Sequence, residues 1–158
     1  MRMHVPVWSG RTEGWNEQMR EEKGELKRML WDWGRTLERF SWKEEELRKL
    51  ENFYVMRKKI WGENENRKDF EKNERQYEQE VKRLRLEMEE ILQRKERVDG
   101  WMQGLTEEER RFLELRFEKG YGFDYIGMKM YRSRATLFRI QEQALNKLIM
   151  QKERDETL

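Results

Sequence analysis

The chain has 158 residues, of which 35% are hydrophobic and 43% charged, so it suits helices with narrow apolar stripes better than one large spherical core. Its net charge of +2 indicates no particular partner, and the lack of Cys together with a single His excludes thiolate chemistry, disulfides and zinc sites of the Cys/His kind. No apolar run reaches the ~20 residues that cross a bilayer and no signal-peptide pattern opens the chain, so we expect a cytoplasmic protein with no membrane segment and no cofactor.

Residues 1–16 contain the only proline, Pro6, and two glycines, Gly10 and Gly14, without a sustained apolar period. Proline and glycine interrupt regular structure. The pattern therefore predicts an irregular N-terminal arm over residues 1–16.

An apolar residue recurs every seven positions from there onward, which is typical of an amphipathic helix. Ser41 followed by Glu44 has the form of a capping box, so we predict one helix near 17–40 and another near 42–61. The recurring residues are Met19, Leu26, Trp33, Phe40, Leu47, Tyr54 and Trp61.

A third helix is predicted over residues 67–98, because Phe70, Tyr77, Leu84, Ile91 and Val98 repeat at the same spacing. The short connection over 62–66 lets the second and third helices lie antiparallel as a hairpin. Residues 17–98 are therefore predicted to form a coiled-coil stem. The pattern leaves open whether the stripes are filled within one chain or by a second copy, as a homodimer through the stem.

The apolar seven-residue repeat ends at Val98, and two glycines within residues 99–104 predict a linker. Thr106 then stands where it caps a helix, and Glu109, three residues on, is placed to reach back to it. Gly120 and Gly122 end this helix near Lys119.

Two further helices follow, so residues 105–150 are predicted to form a three-helix helix-turn-helix domain, with a charged tail over 151–158. The apolar residues spaced to converge as the core of two steeply crossing helices are Ile126, Met130, Leu137 and Ile140. Gly127 is small where these helices approach each other. Ser133 stands where it caps the last helix.

The start of the last helix is predicted to face DNA. Between residues 129 and 152, six cations against one anion give a local charge of +5. Arginine reads guanine edges in the major groove, and the other cations bind phosphates. An alternative is a helical hairpin with incidental surface arginines. The predicted DNA-binding residues are Lys129, Arg132, Ser133, Arg134, Thr136, Phe138 and Arg139.

Residues Leu105 to Leu148 resemble region 4 of sigma-70-type factors. The similarity lies in Leu-Thr-Glu-Glu-Glu-Arg, Phe-Leu-Glu-Leu-Arg-Phe, Tyr-Ile-Gly, Ser-Arg, Arg-Ile and Ala-Leu-Asn-Lys-Leu. The order of a helical stem first and this module last is similar to phage and prophage transcriptional regulators of the RinA/ArpU type, which activate late or autolysin genes.

The resemblance implies an all-α protein that binds double-stranded DNA, with contact to RNA polymerase as a further expectation. Tyr131 stands where the turn often has glycine, and Thr136 and Phe138 replace residues that are commonly charged or polar. Nothing in the chain resembles the sigma region that melts promoters, so we expect an accessory regulator.

Two other classes of protein remain open: a small terminase-like DNA-packaging subunit and a coiled-coil scaffold without affinity for DNA. An enzyme is not expected, because the sequence has no Gly-rich phosphate loop, no metal-ligand cluster and no nucleophile paired with a histidine.

Overall fold

The computed structural model describes the backbone of residues 4–157 and the side chains of residues 16–157. This part of the chain contains no β-strand, and the predicted all-α class is confirmed. None of its helices is both long and apolar enough to cross a bilayer. The elements in chain order are α1 (His4–Gly34), α2 (Thr36–Trp61), α3 (Arg67–Met102), α4 (Glu107–Leu113), a π-helical turn (Glu114–Glu118), α5 (Phe123–Met130) and α6 (Arg134–Thr157).

These elements belong to two packing units. The terminal unit joins Met1–Gly34 to Val98–Leu158, and the hairpin unit is Arg35–Arg97. This division differs from the predicted stem over 17–98, since residues 17–34 pack with the C-terminal helices. A heptad pattern marks an apolar face but does not identify which element covers it.

In the hairpin unit, α2 and α3 run antiparallel on either side of the turn at 62–66. Tyr54 stacks on Tyr77 with ring centroids 4.0 Å apart. Farther from the turn, Lys43 pairs with Glu87 at 2.8 Å. Because both pairs join residues whose numbers have nearly the same sum, they fix one antiparallel register.

Tyr54 also donates a hydrogen bond to the Glu74 carboxylate. That bond raises the pKa of Tyr54 to about 12, because ionising the hydroxyl would place two negative charges side by side. Within the hairpin unit, Leu84 and Ile91 are the buried apolar residues of α3, and the facing stripe of α2 is half-buried.

In the terminal unit, α1 packs into the same apolar cluster as the C-terminal helices. Leu26 and Leu30 have no exposed surface. Trp31 meets the ring of Phe117 edge-on at 4.8 Å, and the Trp33 indole N–H donates to Asp99 at 2.8 Å. The first heptads of the predicted stem are therefore part of the core of the C-terminal domain.

The break between α1 and α2 falls at Arg35, so the predicted division near Ser41 is wrong. Ser41 lies exposed inside α2 and caps nothing. Gly34, the last residue of α1, lies directly against the π turn, because a Cβ at this position would overlap the carbonyl oxygen of Phe117. Only glycine allows α1 to end against that backbone.

Helices extend into the predicted irregular arm, the predicted linker and the predicted charged tail. Residues 4–16 of the predicted arm are the start of α1, whereas residues 1–3 lie outside the described backbone. Pro6 is in the first turn, where its missing N–H removes no helical hydrogen bond. The predicted linker at 99–104 begins with the last turn of α3, held by the buried side chains of Trp101 and Met102, and the predicted tail continues α6 to Thr157.

Candidate nucleic-acid interface

The first helix of the predicted helix-turn-helix begins with the predicted capping box. The Thr106 hydroxyl accepts a hydrogen bond from the Glu109 backbone N–H at 3.2 Å, and the Glu109 carboxylate accepts one from the Thr106 N–H at 3.0 Å. Each end of the box therefore satisfies a donor that the helix leaves unpaired. This local prediction is confirmed.

Glu109 is also buried and ties α4 to α6, since Lys147 Nζ lies 2.5 Å from its Oε1 atom. Burial raises the pKa of Glu109, but the hydrogen bonds from Lys147 and Thr106 together favour the carboxylate more strongly, and the pKa lies below its usual value. The sequence suggested the cap but gave no sign of the second partner, which is 38 residues away.

Two backbone positions set the turns on either side of α5. Gly120 has φ 75° after the π turn, and Tyr131 has φ 56° and ψ 47° at the end of α5. Between them, Gly127 meets the following turn closely, because a Cβ there would lie 2.8 Å from the Arg132 carbonyl oxygen and 3.6 Å from Leu137. The predicted need for a small residue at position 127 is confirmed, although the nearest atom belongs to the turn backbone.

The last helix, α6, starts as predicted. The Ser133 hydroxyl accepts a hydrogen bond from the Thr136 N–H at 3.2 Å and lies 2.9 Å from the Thr136 hydroxyl. Its predicted apolar face is buried, and Ile126 of α5 packs in the same cluster. The buried residues of that face include Leu137, Ile140, Ala144 and Leu148.

Six of the seven predicted DNA-binding residues are exposed, and Thr136 is half-buried beside Ser133. They lie on the end of α5, on the turn and on the first two turns of α6. Phe138 keeps 53% of its surface exposed, so its ring is accessible to a ligand beside the start of α6. The residues concerned are Lys129, Arg132, Ser133, Arg134, Thr136, Phe138 and Arg139.

The positive charge of this surface is partly offset by anions that come from other elements. Arg132 pairs with Glu108 at 2.6 Å, and Arg134 with Asp124 at 3.6 Å. Arg139 has no acidic partner among the described residues. Both ion pairs are exposed and hence weak.

Residues 101–148 match the family model for sigma-70, region 4. This is a DNA-binding regulatory family, so the match indicates a DNA-binding helix-turn-helix regulator and agrees with the predicted resemblance over Leu105 to Leu148. The matched residues are the region 4 module of the chain. Comparisons with curated proteins and with solved structures gave no match.

Phe123 is a residue of the region 4 module whose role the sequence did not suggest. Its ring makes edge contacts with Phe112 and Phe138, each with centroids 5.7 Å apart. The guanidinium groups of Arg116 and Arg134 lie 5.6 Å and 6.0 Å from the same ring. Phe123 therefore holds both Phe138 and Arg134 at the start of α6, through contacts of about 0.5–1 kcal/mol each.

The outward face of α6 includes two further residues that sequence reasoning missed, Ala135 and Gln143. At 100° per residue, both lie within about 45° of Arg139 on the side opposite the buried stripe. Composition did not select these two residues, because they carry no charge. A helical wheel drawn from the predicted apolar face would have found them.

Among the residues whose side chains are described, no group of three His, Asp or Glu residues is arranged to hold a metal ion. The region 4 module presents cations and hydrogen-bond donors around an exposed helix end.

Proposed function

We propose that this protein is a sequence-specific DNA-binding transcription regulator in which the first turns of α6 enter the major groove. The observation that carries the proposal is the exposed face of α6 around Arg139, which projects from a helix whose opposite side is buried in the module core. A helix end of this kind fits the major groove, where arginine binds guanine through two hydrogen bonds.

Each predicted residue then has a distinct role. Arg139, on the outward face, contacts base edges, and Phe138, exposed on the flank of α6 about 100° away, is suited to the methyl group of thymine. Arg132, Arg134 and Lys129 exchange their intramolecular contacts for phosphates. Ser133 and Thr136, which bond to each other at the helix cap, donate to the backbone of the DNA.

The test is selection of bound DNA from a random pool, followed by affinity measurements on the selected site with Arg139→Ala and Arg154→Ala. Arg154 is exposed near the far end of the same helix and provides the matched loss of one charge. We expect Arg139→Ala to weaken binding about 10-fold or more and to relax preference at one base pair, and Arg154→Ala to weaken it about 2-fold or less. No selected sequence, or equal losses in the two variants, would overturn the proposal.

We further propose that the genes controlled are late genes of a phage or prophage, with RNA polymerase as a second partner. The support is the order of the helices, since a long helical segment precedes the region 4 module as in regulators of the RinA/ArpU type. Transcription from a promoter containing the selected site, with bacterial RNA polymerase and with or without the protein, tests this role. An unchanged transcript level and no co-purification of polymerase would contradict it.

A DNA-packaging subunit also joins a helix-turn-helix to oligomerising helices, and its assembly distinguishes it from a regulator. Packaging subunits form closed rings of many copies, whereas regulators act as monomers or dimers. Light scattering of the full chain separates the two, and we expect no ring.

A further inference from the structure

Three phenylalanine rings connect the core of the region 4 module to the start of α6. Phe112 is fully buried, Phe123 is half-buried and Phe138 keeps 53% of its surface exposed. Phe123 meets the other two rings edge-on, with centroids 5.7 Å apart and ring planes at 73° in each contact. Edge-to-face contacts are a geometry that aromatic pairs prefer. The exposed ring of Phe138 is therefore attached to the core through one intermediate ring.

Phe123 is itself held by a further neighbour, Arg116 of the π turn. The Arg116 guanidinium lies 5.6 Å from the centroid of the Phe123 ring and 5.2 Å from that of Trp31 in α1. The same group donates a hydrogen bond to the Tyr121 carbonyl oxygen at 3.0 Å. Because these contacts fix Arg116, and burial fixes Phe112, Phe123 has little freedom to change its rotamer. It is a rigid support for the side chains on its outer edge.

Two side chains at the start of α6 lie against Phe123. They are Phe138 and Arg134, whose guanidinium is 6.0 Å from the centroid of the Phe123 ring. The two residues are four positions apart and so lie about 40° from each other on one flank of α6, with Arg139 about 100° round from Phe138. This flank therefore presents an apolar ring beside two arginines, at the helix end that enters the major groove in the proposed function.

The apolar group that DNA presents in the major groove is the methyl group of thymine. Contact with one methyl group contributes little free energy, so any loss of side-chain entropy in the complex offsets much of the gain. A ring that is already fixed before binding avoids this loss. Phe138 meets the condition, because Phe123 holds its ring in the absence of DNA.

We propose that Phe123 is a positioning residue for base recognition, which holds the Phe138 ring against the methyl group of one thymine in the bound DNA. This inference rests on the proposed DNA-binding function and adds the residue that sets the preference for that base. Phe123 acts through Phe138 and needs no contact of its own with DNA.

The experiment uses the DNA site selected for the full chain, with each thymine replaced in turn by deoxyuridine, which lacks only the methyl group. We expect one replacement to weaken binding about 3- to 5-fold, the value of one buried methyl group. The Phe138→Ala variant should bind the thymine and deoxyuridine forms of that position equally. A preference that survives in this variant would come from DNA shape or from another residue and would overturn the proposal.

Phe123→Leu tests the positioning role, because leucine keeps an apolar side chain at this position but removes the ring that supports Phe138. We expect the ratio of the affinities for thymine and deoxyuridine to fall below about 2-fold. Partial unfolding lowers the affinity for both DNAs by the same factor, so a merely structural role of Phe123 leaves that ratio unchanged. An unchanged ratio would therefore overturn the proposal.

Tyr125→Leu is the matched control, since it replaces an aromatic residue of the same helix whose ring contacts Tyr121 and Lys129. It should keep the full preference for thymine, and a loss equal to that of Phe123→Leu would overturn the role of Phe123. The unmodified chain distinguishes the two proposals. A selected site whose affinity depends on no thymine methyl group would overturn this inference and leave the DNA-binding function intact, whereas failure to select any site would overturn that function as well.

Discussion

Tyr131 holds a left-handed backbone conformation, with φ 56° and ψ 47°, at the turn between α5 and α6. Such a conformation costs an L-residue about 1–2 kcal/mol. The Tyr131 side chain is 90% exposed, so its packing offsets little of this cost. We expect Tyr131→Gly to raise the free energy of unfolding by about 1 kcal/mol, measured by urea denaturation.

Lys129→Gly, two residues earlier in the regular part of α5, is the control for the loss of a side chain. It should lower the free energy of unfolding by about 1 kcal/mol, because glycine is a poor helix former. Equal destabilisation by both substitutions would show that the conformation of Tyr131 is not strained.

Gly34 gives a second prediction at the scale of one residue, since a side chain there would overlap the backbone of Phe117. We expect Gly34→Ala to destabilise the terminal unit by about 1–3 kcal/mol. Gly24, in the same helix, has nothing within 4 Å of the position of an added Cβ. Gly24→Ala should therefore stabilise by about 0.5–1 kcal/mol, and thermal unfolding of the two variants should move in opposite directions.

The connection between α4 and α6 depends on an ionised Glu109, whose pKa lies below its usual value because the bonds from Lys147 and Thr106 outweigh the effect of burial. A lowered pKa contributes stability that is fully present above about pH 4.3, the ordinary value for Glu, and is lost as the pH falls through the folded value. We expect Glu109→Gln to cost about 1–3 kcal/mol at pH 7 and much less near pH 3, from urea denaturation at each pH.

Glu107→Gln is the control for this pH dependence, because Glu107 lies exposed in the same first turn. Its cost should stay within a few tenths of a kcal/mol, as expected for a charge near a helix start. A loss for Glu109→Gln that did not shrink on acidification would contradict the ionic role of this side chain.

The ion pair between Arg132 and Glu108 joins the turn to α4 on the surface proposed to bind DNA. Because DNA phosphates must replace that carboxylate, we expect Glu108→Gln to raise DNA affinity about 2- to 5-fold at low salt, which corresponds to the free energy of an exposed pair. Glu107→Gln removes the same charge without freeing an arginine and should raise the affinity less. Fluorescence anisotropy over a range of salt concentrations distinguishes the two variants. Equal gains in DNA affinity would argue against replacement of the Glu108 carboxylate by a phosphate.

At the scale of the whole molecule, the region 4 module shares its core with a helix from the other end of the chain. Leu30 of α1 is fully buried in that core, although it precedes the module by about 70 residues. We expect Leu30→Ala to lower the free energy of unfolding by about 2–5 kcal/mol and to weaken DNA binding at 37 °C by partly unfolding the module. Leu37→Ala, at a position that is 76% exposed in α2, should change both by little.

Features that join residues close in sequence could be predicted from the sequence. The capping box at Thr106 and the N-cap at Ser133 join residues three positions apart, and the apolar spacing of Ile126, Leu137 and Ile140 follows from helix geometry. For the same reason the seven candidate DNA-binding residues fell on or beside an exposed helix end. Local hydrogen bonds and the 3.6-residue period require no knowledge of distant partners.

The sequence by itself therefore determined the all-α class, the caps at Thr106 and Ser133 and the resemblance to region 4, because each depends on neighbours within one or two turns. Only the tertiary structure decided that α1 belongs with the last helices, that α1 ends at Gly34, and that Glu108 and Asp124 offset the arginines of the turn. An apolar stripe or an exposed charge is compatible with many partners, and packing selects one of them through contacts between residues far apart in the chain.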